Sequence, residues 1–283
     1  MENLTQIKRF PSTADMVVLL LLFFVSQLLV GLVLRGIGLV PPETSAIDAV
    51  DIETYMNEQE ALGRYTALVY PLSMLFSIAM LWLYIRLRGG KRAIYIRHSA
   101  SGFNPSMVLV GVLWLLSAQI ILEPLMSLLP PSEGRGLGRG LWACFTAVVS
   151  SAVLEELLCR GVIFETFRKR WGVKTSILFS SLFFGLIHLD IATAIVAVVA
   201  GMIFGVLYVR TSSLYTTIII HSINNAMAFA LICFGVGDVS FSEIVGGGAT
   251  YYILYGVAVV VFIAASVEAY FRVFRRKKAD NKG

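Results

Sequence analysis

Eight apolar runs divide this chain, at about 16–34, 65–86, 106–129, 141–164, 174–188, 191–209, 214–234 and 250–271. Most are close to the ~20 residues that a helix needs to cross a bilayer. Hydrocarbon offers a backbone no hydrogen-bond partners, so a crossing segment must satisfy its own N–H and C=O groups, as a helix does. The expected fold is therefore all-α, a polytopic integral membrane protein with about eight transmembrane helices. A composition of 57% hydrophobic and 14% charged residues agrees with that expectation. The first run, Met16 to Leu34, is too long for a signal-peptide core and lacks a small-residue cleavage site, so it reads as a retained helix.

The net charge of +5 does not mark a nucleic-acid surface, because the basic residues are spread between the apolar runs. With the N-terminus inside, eighteen Lys and Arg fall in inner connections and four (Arg35, Arg64, Arg135, Arg139) in outer ones. The positive-inside rule then puts both termini in the cytoplasm. The outer connection from Pro41 to Arg64 is acidic and reads as a solvated loop or surface helix. Cys144, Cys159 and Cys233 lie in apolar runs without CxxC spacing, as small hydrophobes rather than metal ligands. Gly201 and Gly205 form a GxxxG pair that predicts close helix packing. Glu123, beside Pro124, reads as solvated near the outer interface.

One span breaks the apolar rule. Leu141 to Phe164 carries Glu155, Glu156 and Arg160, and an ionisable group near the bilayer centre costs from ~3 to more than 10 kcal/mol. Glu156 and Arg160 are four residues apart and can pair on one helix face. Glu155, about 100° around the helix, has no such partner in its own span. Three histidines occur in the chain, and His188 and His221 are in spans, whereas His98 is in a basic inner loop. His221 and Asn225 share one face of their helix. At ~1.5 Å per residue, Glu155 lies roughly 20 Å from the inner loop, His188 about 21 Å, Asn225 about 18 Å and His221 about 12 Å. The fifth run is short for a full crossing, so the turn at His188-Leu189-Asp190 is expected below the membrane surface.

A carboxylate and a histidine can activate a water for attack on a carbonyl, with a second histidine and an amide stabilising the oxyanion. Glu155, His188 and His221 could equally hold a Zn²⁺ ion that acidifies a bound water. Neither HExxH nor GxSxG occurs, which removes the usual helical zinc site and the nucleophile elbow. A proton-coupled transporter would use the same residues as a relay, yet the first half of the chain has no matching polar set.

The run Glu155-Glu156-Leu-Leu-Cys-Arg160, then Phe184-Gly-Leu-Ile-His188, then His221-Ser-Ile-Asn-Asn225, resembles the three ordered motifs EExxxR, FxxxH and HxxxN/D. These are the motifs of the CAAX protease and bacteriocin-processing family, and the resemblance covers Trp142 to about Phe234. It implies an intramembrane endopeptidase acting on membrane-associated protein or peptide substrates. Within that resemblance Glu155 is the water-activating base and His188 its partner. His221 and Asn225 form the oxyanion site, or His221 ligates a metal, and Glu156 and Arg160 orient the site. Phe184 shapes the pocket. The resemblance divides the chain into N-terminal helices with the acidic outer loop (1–140), a catalytic membrane domain (141–234), and a final helix with a basic cytoplasmic tail (235–283). Small size and the lack of organelle signals point to a prokaryotic plasma membrane. A non-catalytic immunity or scaffold protein is the remaining alternative.

Overall fold

The computed structural model describes residues 10–45, 50–89, 103–130, 136–237 and 239–275. Part of the charge asymmetry falls outside them, at Lys8, Arg9, Lys91, Arg92, Arg97, Arg135 and the tail from Arg276, as do His98 and Asp48. Every regular element among the described residues is helical: α1 (Thr13–Gly36), α2 (Ile52–Gly89), α3 (Pro105–Met126), α4 (Gly140–Leu186), α5 (Ile191–Thr211), α6 (Leu214–Cys233), the short α7 (Phe241–Ile244) and α8 (Gly248–Tyr270).

Seven of these are long and apolar enough to cross a membrane. The difference from the eight expected runs lies in α4, which joins two of them. Gly172 interrupts it with φ 76° and ψ 179°, a conformation open to glycine but not to a side-chain-bearing residue. The arms 140–171 and 173–186 are therefore separate helical segments. They also belong to different compact units, one holding α1, α2 and 140–171, the other 173–186 with α3 and α5 to α8. This division falls inside the 141–234 stretch.

The surface is the inverse of a water-soluble protein's. Leu28 on α1 and Val260 on α8 are 62% and 68% exposed, whereas Glu156 and Arg160 are fully buried. Such broad apolar exposure suits a lipid surround. The protein is an integral membrane protein of the polytopic helical class.

In the first unit, helix ends are tied by side chains. Ser12 and Asp15 form a capping box on α1, and Asp15 also accepts from Tyr84 Oη of α2 at 2.6 Å. Gln27 donates to Ser77 Oγ at 3.0 Å between the same helices. α2 begins well before the expected 65–86 run. Thr54 gives its backbone N–H and its hydroxyl to Asp51, each at 2.9 Å, and these bonds hold the Asp51 carboxyl below the usual carboxylate range. Much of the acidic outer connection is thus helix, with Glu60 and Arg64 paired at 2.7 Å. At 38 residues α2 is roughly 57 Å long, well beyond the ~30 Å of hydrocarbon.

The chain enters α4 pressed against α2. Arg139 N donates to Gln59 O, and Thr66 Oγ1 donates to Leu137 O, both at 3.0 Å. Gly138, at φ 78°, lies where a Cβ would collide with Gln59 O and the Gly63 backbone. Gly138→Ala combines that collision with a left-handed conformation, so we expect a loss of about 2–4 kcal/mol. A thermal midpoint in detergent lower by several degrees is the expected readout; an unchanged midpoint contradicts the close approach.

In the second unit, the GxxxG pair packs as expected. A Cβ on Gly201 would meet Ser181 Cα at 3.0 Å, and one on Gly205 would meet Ile177 at 3.1 Å, both on the 173–186 arm. α3 lies over α5 and α6, with Leu207 and Ile220 reaching into the space beside Gly111. Trp114 of α3 donates to Ser266 of α8 at 3.2 Å. Glu123 is not merely solvated: its Oε1 accepts from the Ser242 backbone at the start of α7, at 2.9 Å. Of the cysteines, Cys159 is buried, Cys144 half-buried and Cys233 exposed, so only Cys159 fully matches the expected buried role.

Candidate active site

The glutamate motif sits where α4 leaves ordinary helical geometry. Residues Phe145–Ser150 and Leu157–Phe164 form π-helical turns, with i→i+5 bonds in place of i→i+4. Such turns are rare and occur frequently at functional sites. The local sequence supports them with hydroxyls. Thr146 donates to Trp142 O at 2.9 Å and Thr166 to Val162 O at 2.7 Å, and Ser151 likewise back-bonds Ala147 O. Each hydroxyl donates to the carbonyl four residues before it, the acceptor that an α-helical N–H would otherwise use.

Within this frame the two adjacent carboxylates have different surroundings. Glu156 Oε1 accepts from Arg160 Nη1 at 2.7 Å, and both side chains have no exposed surface. Spacing alone predicted that pair. Glu155 is half-buried, and its Oε1 accepts from Tyr70 Oη of α2 at 2.6 Å. Glu155 therefore does have a close partner, a phenol from another helix, which spacing within one span does not reveal. The only sequence signal was a polar Tyr70-Pro71 step inside an apolar run.

The histidines belong to the second unit. His188 follows the last turn of α4, and its Nδ1 lies 2.7 Å from Phe184 O. A carbonyl oxygen only accepts, so Nδ1 carries the proton and Nε2 of the neutral ring keeps its lone pair. Leu189 next to it has φ 63°, a conformation costing about 1–3 kcal/mol for a non-glycine residue. Asp190 then caps α5 by accepting from Thr193 N at 2.8 Å. At ~1.5 Å per residue the 173–186 arm is roughly 20 Å long, shorter than the hydrocarbon thickness, as the short fifth run implied.

Phe184 lies between the two imidazoles. Its ring meets His188 edge-on at 4.9 Å and His221 edge-on at 5.7 Å, while Phe204 of α5 stacks on His221 at 5.0 Å. His221 is 4% exposed, so its orientation is set by packing. One turn further along α6, an amide chain leads to Asn225. Gln119 Nε2 of α3 donates to Asn224 Oδ1 at 2.6 Å, and Asn224 Nδ2 donates to Asn225 Oδ1 at 3.4 Å. The carbonyl end of Asn225 thus accepts at the end of that chain. Gln119, Asn224, Phe204 and Tyr70 were not singled out from sequence.

The structure thus brings Glu156 together with Arg160, and Phe184 with both histidines. Glu155 and Glu156 lie in one unit, and His188, His221 and Asn225 in the other. Among the described residues, no group of three or more His, Cys, Asp or Glu side chains is gathered as a metal ion would require.

Residues 137–227 match the family described as "Type II CAAX prenyl endopeptidase Rce1-like". No curated protein and no solved structure matches the chain. The matched stretch starts at the Leu137–Arg139 contact with α2 and contains all three motifs, with the glutamate pair in its π-helical frame and Phe184 between the histidines. This all-helical membrane protein thus carries, over residues 137–227, a domain similar to the type II CAAX prenyl endopeptidases, which are hydrolases of peptide bonds.

Proposed function

We propose that the protein cleaves membrane-associated peptides or proteins by a glutamate-based mechanism, with Glu155 as the base. The observation that carries this reading is the unlike surroundings of the two carboxylates. Glu156 is neutralised by Arg160 in a fully buried pair, whereas Glu155 is half-buried and held by a phenol.

Glu155 takes a proton from a water, whose oxygen bonds to the peptide carbonyl carbon. His188, with its Nε2 lone pair, orients that water. His221 and Asn225 donate to the oxygen that gains negative charge, as an oxyanion site does. The C–N bond then breaks as the proton held on Glu155 passes to the leaving nitrogen, giving a carboxylic acid and an amine, which exchange a proton to leave as carboxylate and ammonium. No metal takes part in these steps. The reading also places both termini in the cytoplasm, on the strength of the eighteen-to-four distribution of basic residues.

The test uses purified protein in liposomes and quenched peptides with and without a prenylated cysteine. His221→Ala and Asn225→Ala should each lower kcat about 10²–10³-fold, the usual cost of losing one oxyanion donor. His188→Ala should lose a similar amount. Chelators should leave the wild-type rate unchanged. Loss of cleavage with 1,10-phenanthroline, restored by Zn²⁺, would overturn the metal-free mechanism. Unaltered cleavage by the His221 and Asn225 variants would remove the oxyanion assignment.

A further inference from the structure

We propose that Tyr70, outside the matched family region, is a positioning residue for the glutamate base. This rests on the reading of Glu155 as that base. The Tyr70 hydroxyl donates to Glu155 Oε1 at 2.6 Å, short for a neutral donor and typical of a bond to a charged carboxylate. A phenol bonded to one carboxylate oxygen fixes the rotation of the group. With Oε1 held toward α2, Oε2 keeps a defined position at which the proton from water is received. The bond also persists when Oε2 carries the proton, because Oε1 is still an acceptor.

The backbone around Tyr70 is built to hold that position. Pro71 follows inside α2 and has no N–H to give to the carbonyl of Ala67, which loosens the helix at this turn. Ser73 Oγ donates to Tyr70 O at 3.0 Å and Ser77 Oγ to Ser73 O at 2.9 Å, which secures the following turns. Downstream, the Gly138 approach and the Thr66–Leu137 bond fix α2 against the entry to α4. The phenol is thus carried on a helix anchored to the one that carries Glu155.

Tyr70→Phe keeps the ring and removes only the hydroxyl. Losing a hydrogen bond to a charged group should lower kcat about 10- to 100-fold while KM stays within twofold. The probe is the quenched peptide of the preceding test. A second readout is independent of turnover: 3-fluorotyrosine placed at position 70, observed by ¹⁹F NMR in the wild-type background and in Glu155→Gln. Exchange of a carboxylate for an amide should move the resonance. If it does not move, the bond is absent and the proposal falls, whatever the activity. If Glu155→Gln is inactive while Tyr70→Phe keeps the wild-type kcat, the base stands and only the role of Tyr70 is lost. If Glu155→Gln cleaves at the wild-type rate, the base assignment fails and this proposal with it. A fall in kcat that is matched by aggregation on size exclusion counts against positioning, since the Phe variant preserves the packing volume.

Discussion

Replacing Glu155 with glutamine should lower kcat by about 10²–10⁴-fold with little change in thermal midpoint. That range is the usual contribution of a positioned general base. Glutamine keeps the length and shape of the side chain, and its amide oxygen can still accept from Tyr70, so the packing is undisturbed. What it lacks is the capacity to take a proton at the pH of the reaction. KM should change little, because the carboxylate acts on water rather than on the bulk of the substrate. The corresponding exchange at Glu156 tests the division of roles, since its carboxylate is engaged with Arg160 and contributes charge balance. Cleavage by the Glu155 variant at more than a tenth of the wild-type rate would be incompatible with its role as base.

Arg160→Met should destabilise the fold by about 3–5 kcal/mol, the usual cost of removing one partner from a buried ion pair. The guanidinium and Glu156 have no exposed surface and lie 2.7 Å apart. Without the cation, a carboxylate would remain in the interior with its desolvation uncompensated. The double change Glu156→Gln with Arg160→Met should recover most of the loss, because no charge is then left behind. Thermal midpoints of the two single variants and the double variant in detergent would measure the coupling. Additive losses would mean that the pair is not a unit.

The spans were legible because uninterrupted hydropathy is a strong and local signal, and the observed helices mostly lie within a few residues of the expected runs. The acidic outer connection reads as a solvated loop or surface helix, and what sequence did not show is that its helix, capped at Asp51 and Thr54, runs on unbroken into the apolar span. The kink at Gly172 was hidden too, as one glycine in a polar connection carries no sign of a continuing helix on both sides. Within the candidate site, the Glu156–Arg160 pair follows from spacing, since both residues are on one helix. The bond from Tyr70 to Glu155 does not, because it joins helices whose residues are far apart in sequence. The π-helical turns were equally invisible: Thr146, Ser151 and Thr166 were ordinary small polar residues until their carbonyl partners were known.

The position of the buried pair on a single helix bears on how the protein reaches the membrane at all. A nascent span is judged by the insertion machinery as it arrives, before later spans exist, and a lone Arg or Asp at its centre adds about 2.5–3.5 kcal/mol against entry. Glu156 and Arg160 stand one turn apart, so they can neutralise each other as soon as that turn is helical. The pair can then partition as a locally neutral unit without waiting for another part of the chain to be made. Had the cation been placed on a later span, each charge would have faced lipid alone during synthesis. The salt bridge is in this sense a provision for biogenesis as well as for the finished enzyme.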